Sequence, residues 1–282
     1  MARKLSQNHL DEYKKGGKLF KLFNVIQRDP ELSFEIRRND EAIIYYCKKV
    51  MLTISQGEKV TPLNPNYHKG KMLSADISDE NTLKSESKIK KYFKEAKDFA
   101  YAYSRKSEFA VQQNISLGSR LFDDGLVVVD MEWGFSQDKI ESSMRIPATK
   151  IDLVAFNPKP NNDGLNDIYL VEVKHSLDAT QGKSGMQDHV DKTFKICQNK
   201  TACEDLLDDV QNIINQKKEL GILKGTKPTI KLSPIPKMMF FLSYRSNEEL
   251  EQLKKEVAAL TIPKGMDKPV VIYNNYTIQL HL

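Results

Sequence analysis

Residues 150–176 read KIDLVAFNPKPNNDGLNDIYLVEVKHS, and the reading of this stretch decides the fold. Two apolar runs flank a connector rich in Asn, Pro, Asp and Gly, the pattern of two β-strands joined by a turn. Each run carries charge in its middle: Asp152 in the first, Glu172 and Lys174 in the second. Strand side chains alternate between faces. Asp152 therefore shares a face with Val154 and Phe156, while Glu172 and Lys174 share a face and Val171 and Val173 take the other. Both faces of both strands are largely apolar, as in interior strands covered on each side. A charge in such a place needs a partner or an opening to solvent.

The connector favours an antiparallel hairpin centred near Asn162-Asp163, which sets Asp152 across from Glu172 or Lys174. In either register the three side chains lie on one face. Two converging carboxylates suit a hard divalent cation such as Mg2+ that keeps several waters. A lysine beside them can hold a water or neutralise developing negative charge. The chemically silent alternative is a partly buried ion-pair cluster, which is seldom worth its desolvation.

Outward from the hairpin, the chain reads as mixed α/β. A helix is expected over residues 81–105, since Ile89, Tyr92, Phe93, Ala96, Phe99, Ala100 and Tyr103 recur at three- and four-residue steps. EFAVQQNISL (108–117) and GLVVVDMEWGF (125–135) read as strands. After the hairpin come two helices, SGMQDHVDKTFKIC and CEDLLDDVQNIINQKKELGI. The strand KMMFFLSY, the helix NEELEQLKKEVAAL and the strands PVVIYN and TIQLHL follow. Nearer the N-terminus, residues 17–28 read as a short helix. LSFEIRR and AIIYYCKKVMLTI flank Asn39-Asp40 as a β-hairpin. QGEKVTPLNPNYHKGKML (56–73) reads as a loop, and a domain boundary is placed near residue 75: an N-terminal region over 1–75 and the main domain over 76–282.

The 282 residues, 40% apolar and 29% charged, have the composition of a globular protein and length for a sizeable core. No apolar run reaches bilayer-spanning length, and the basic N-terminus lacks the apolar core of a secretion signal, so no membrane partner and a cytoplasmic location are expected. Cys47, Cys197 and Cys203 are too few and wrongly spaced for a disulfide framework or a thiolate zinc site. Net charge is +5, compatible with nucleic acid without requiring it. Lys69, Lys71, Lys88 and Lys91 are candidates for holding phosphates without sequence preference.

The combination of Ile151-Asp152 on one strand and Glu172-Val173-Lys174 on the next resembles the PD-(D/E)xK nuclease superfamily. The order helix, strands, signature hairpin, helix, strand over residues 80–245 resembles its restriction-endonuclease-like fold: a mixed sheet flanked by helices, here with an N-terminal hairpin-containing extension. The resemblance implies a Mg2+- or Mn2+-dependent hydrolase of phosphodiester bonds in nucleic acid, DNA before RNA. Asp152, Glu172 and the main-chain carbonyl of Val173 would hold the metal, and Lys174 would position the attacking water. It further implies an acid early in the preceding helix, for which Glu86 fits first and Glu95 second. A glutamine on the helix after the lysine is also implied, the place Gln187 occupies. His175 points to the opposite face, and His189, two residues from Gln187, is read as lying off its face. The rival class is a non-catalytic DNA-binding or protein-assembly module on the same fold; a homodimer or partner proteins are compatible with either.

Overall fold

The computed structural model of the protein describes residues 2–47, 49–64, 66, 73–103, 107–118, 125–134, 149–225 and 229–275. It is mixed α/β with two sheets, and the chain divides into two compact units. The first comprises Met1–Asp124 with Asp208–Lys227, the second Gly125–Leu207 with Pro228–Leu282.

In the first unit, α1 (Gln7–Glu12) and α2 (Phe20–Arg28) precede a four-stranded antiparallel meander: β1 (Ser33–Arg37), β2 (Glu41–Tyr46), β3 (Lys49–Ser55) and β4 (Lys59–Pro62). The expected hairpin at Asn39-Asp40 is there. Both residues take positive φ, 61° and 58°, as a two-residue hairpin turn requires. The run AIIYYCKKVMLTI, however, is two strands: Cys47 has φ 45°, and Tyr46 pairs with Lys49. The stretch expected as loop contains β4, turned back by Gly57 and Glu58 at positive φ.

The helical run after residue 80 is α3 (Glu80–Leu83) followed by α4 (Glu86–Tyr103). Tyr92 ties α4 to the meander, its hydroxyl donating to Met51 O at 2.7 Å and accepting from Leu63 N at 2.8 Å. Lys97 Nζ lies 2.6 and 2.7 Å from the two Asp29 carboxylate oxygens. These contacts place α4 with the N-terminal sheet, whereas the sequence put a boundary near residue 75.

Residues 108–117, expected as a strand, lie in helix α5 (Ser107–Gly118). Its buried face includes Gln112, Gln113 and Ser116, at helical spacing but polar, so hydrophobic periodicity gives no signal there.

In the second unit, the sheet order is β5 (Val127–Gly134), β6 (Lys150–Phe156), β7 (Ile168–Lys174), β8 (Lys237–Tyr244), β9 (Val270–Asn275). The first three strands are antiparallel and the last three parallel. The parallel pairs need crossovers. Between β7 and β8 run α6 (Met186–Gln198) and α7 (Lys200–Glu219); between β8 and β9 runs α8 (Asn247–Ala258).

The latter half of α7 belongs to the first unit. There Lys217 meets Glu35 of β1 in a buried pair at 2.7 Å, and Gln216 exchanges hydrogen bonds with the Leu5 backbone. All of β7 is buried, as its near-continuous apolar sequence requires. Met186 and Val190 of α6 and Leu253 of α8 pack on Met238, Phe240 and Leu242 of β8.

Burial pushes the Cys197 thiol up to about 12, and its Sγ donates to Pro236 O, so this half-buried thiol is unreactive. TIQLHL lies outside the described residues. Among those described, no helix is long and apolar enough to cross a membrane.

Candidate active site

The β6–β7 hairpin sets the site. Leu153 pairs with Val171 and Phe156 with Ile168, so the same register carried one residue further brings Asp152 opposite Glu172. The connector holds that register. Asn161 Oδ1 accepts from Asp163 N and Leu165 N, and Gly164 takes φ 75°. Asn166 Nδ2 reaches back to Asn157 O at 2.9 Å. At the open end, the Asp152 side chain enters the ladder: its Oδ2 accepts from Val173 N at 3.0 Å. Asp152 is half-buried, while Glu172 and Lys174 are 2% and 7% exposed.

In parallel pairing Glu172 lies beside Phe240 and Lys174 beside Leu242. Their face is thus the one on which α6 packs. Lys174 Nζ stands 3.6 Å from Glu172 Oε2 and donates to Ser184 O at 3.0 Å. Ser184 sits in a tight loop before α6 with φ 69°. The next residue must be glycine there, since a Cβ on Gly185 would come within 2.6 Å of Thr180 O. Asp188 Oδ2 accepts from Ser184 N and pairs with Lys192 at 2.6 Å, holding the loop to the first turn of α6.

From α6, His189 comes down onto the same face, its Nδ1 2.9 Å from Glu172 Oε1. The contact is close yet lacks hydrogen-bond alignment at Nδ1. Burial first, then the positive charge of Lys174, lowers the His189 pKa to about 4, with Asp152 opposing. Glu172 would favour protonation, but its carboxylate already shares the Lys174 ammonium. The imidazole is neutral at pH 7.

Two of these features escape sequence reasoning. Spacing puts His189 off the face of Gln187, yet it is His189 that reaches Glu172. Gln187 turns outward instead: its amide donates to Asp191 Oδ1 and Thr261 O and accepts from Thr261 N. Asp130 of β5, fully buried, pairs with Val154 and so shares the face of Asp152. Its signal was the same as that of Asp152, a charge inside an apolar strand.

Glu132 has φ 57° and pairs with Lys150 at 2.5 Å, and Trp133 is core. His175 is buried, its Nε2 3.4 Å from Arg245 Nη2.

Glu86 belongs to the first unit, at the start of α4, 3.7 Å from Arg28 and 3.9 Å from Lys90. Glu95, also there, accepts from Ser74 N at 2.7 Å. Lys88 and Lys91 are exposed on α4. Lys69 and Lys71 lie outside the described residues.

Among the described residues no three His, Cys, Asp or Glu side chains form a ready metal-holding group. The donor chemistry of the hairpin is nonetheless that of a hard cation: two carboxylates at opposed positions, with water and substrate free to complete the shell. The chain was compared with protein-family models, curated proteins and solved structures, and none matched.

Proposed function

We propose that the protein is a metal-dependent nuclease with a restriction-endonuclease-like core in its second unit, hydrolysing phosphodiester bonds in nucleic acid, DNA first. One observation carries this reading: the Leu153–Val171 pairing, carried one residue further, sets Asp152 against Glu172, and Lys174 Nζ stands 3.6 Å from Glu172 Oε2. Asp152 and Glu172, with the Val173 carbonyl, would hold Mg2+ or Mn2+. When bound there, the cation supplies positive charge to the phosphoryl oxygens and makes a water more acidic.

The chain's own residues do the rest. Lys174 keeps an ammonium beside Glu172, where it positions the attacking water and offsets charge gathering at phosphorus. The Ser184 carbonyl fixes the direction of that amine. Asp152, tied to Val173 N, keeps its carboxylate at the end of the ladder, and the apolar neighbours exclude bulk water.

The test incubates purified protein with single- and double-stranded DNA and RNA in Mg2+, Mn2+ or EDTA. Cleavage is expected with metal only, and is lost in Asp152→Ala and Lys174→Ala. Equal cleavage by wild type and both variants refutes the assignment.

A second reading is favoured by the burial of Glu172, Lys174 and His189, each under a tenth exposed: a closed charge cluster in a non-catalytic DNA-binding or assembly module. It expects no cleavage under any condition and nucleic-acid or protein binding unaffected by Asp152→Ala.

A further inference from the structure

His189 is 7% exposed, and its Nδ1 makes no aligned hydrogen bond. A neutral imidazole next to a carboxylate ordinarily points its N–H at an oxygen. Here the nitrogen and Glu172 Oε1 are 2.9 Å apart, well inside hydrogen-bond distance, and yet off line. With the ring proton on Nε2, Nδ1 and Oε1 are two lone-pair atoms, and held this close in a buried place they repel unless something positive lies between them.

A shared cation gives that geometry naturally. Adjacent corners of an octahedron with metal–ligand bonds of about 2.1 Å lie about 3 Å apart. The ring is also pre-aimed, because Met186 and Val190, on either side of it along α6, are locked into the core on β8.

We infer that His189 Nδ1 and Glu172 Oε1 are neighbouring ligands of one divalent cation, and that the nitrogen donor makes the site select Mn2+ over Mg2+. This rests on the metal-dependent reading above and adds a ligand from the helix to the carboxylates of the hairpin. Mg2+ is served by oxygen donors and binds imidazole poorly, whereas transition ions accept it.

The experiment titrates full-length, EDTA-stripped protein with MnCl2 and with MgCl2 by calorimetry, and records spin-echo modulation of bound Mn2+. Wild type is expected to bind Mn2+ at least about tenfold more tightly than Mg2+ and to show nitrogen coupling. His189→Gln is expected to lose the coupling and about tenfold in Mn2+ affinity, with Mg2+ affinity changed by less than about threefold. Circular dichroism confirms that the variant is folded, and His189→Ala serves as the second variant.

An unchanged Mn2+:Mg2+ ratio in both variants overturns the inference. If Glu172→Gln abolishes binding at the same time, the metal reading stands without His189. Failure of wild type to bind either ion overturns both.

Discussion

Substituting Lys174 by Met removes the ammonium while keeping an unbranched apolar stem in the same space. The side chains of Lys174 and Glu172 are 8% and 3% exposed and 3.6 Å apart. At that separation the gross attraction is about 5 kcal/mol for an effective dielectric of about 20. Burial of the two charges offsets much of this in the wild type. The variant keeps the desolvated carboxylate and loses its cation, and the Ser184 carbonyl loses its donor.

Breaking a buried pair from one side costs about 3–5 kcal/mol. For a unit of this size that lowers Tm by about 10 °C. Urea unfolding at pH 7.5 in EDTA measures the loss without interference from metal. Adding Glu172→Gln should then restore about 2 kcal/mol, because a neutral amide no longer needs the ammonium. If Lys174→Met unfolds within about 0.5 kcal/mol of wild type, or if Glu172→Gln deepens the loss, the charges are not coupled in a dry interior. The site geometry argued above would then be wrong.

In the first unit, Tyr92→Phe strands both Met51 O and Leu63 N in the interior and should cost about 2–3 kcal/mol by urea unfolding. Gly185→Ala drives a Cβ onto the Thr180 and Gln181 backbone and should cost about 2 kcal/mol, read as a fall in Tm. His189 has a folded pKa of about 4, below its unfolded value of about 6.5, so between those values the unfolded chain binds the extra proton. Its contribution is therefore flat above pH 6.5 and falls by about 3 kcal/mol as pH drops to 4, and unfolding curves of His189→Gln should lack that component.

What could be read from sequence follows from how far each feature depends on local rules. The hairpin was legible because strand parity and a turn-rich connector of fixed length leave few registers. The Asn161 and Asn166 side chains then hold the one that forms. β8 was legible as an unbroken apolar run bounded by polar residues, and α8 by Leu250, Leu253 and Val257 at helical spacing. α5 was not, since Gln112, Gln113 and Ser116 share its buried face with Val111, and the reason for their burial lies in other elements. The end of α7 was equally hidden: Lys217 reads as a solvated helix residue until Glu35 is brought beside it.

The site shows the same division. Asp152, Glu172 and Lys174 were found because alternation along a strand says which residues share a face. Asp130 obeys that rule too, sitting in VVVDMEW as Asp152 sits in KIDLVAF, but the bulge between Val128 and Asp130 shifts the pairing and no local rule places it. His189 depends on the rotation of α6 about its axis, which spacing from Gln187 cannot supply. That rotation is set by Met186 and Val190 finding Met238, Phe240 and Leu242. Repacking those residues should therefore disturb a charge cluster that none of them touches through polar atoms. A conservative Val190→Ala, which lets the helix turn or settle and loosens the burial of the ring, should raise the His189 pKa by NMR toward about 6.5, since burial is the main cause of its depression. An unchanged His189 pKa alongside the expected loss of about 2–3 kcal/mol of stability would show that the ring is held by the sheet and not by its helix.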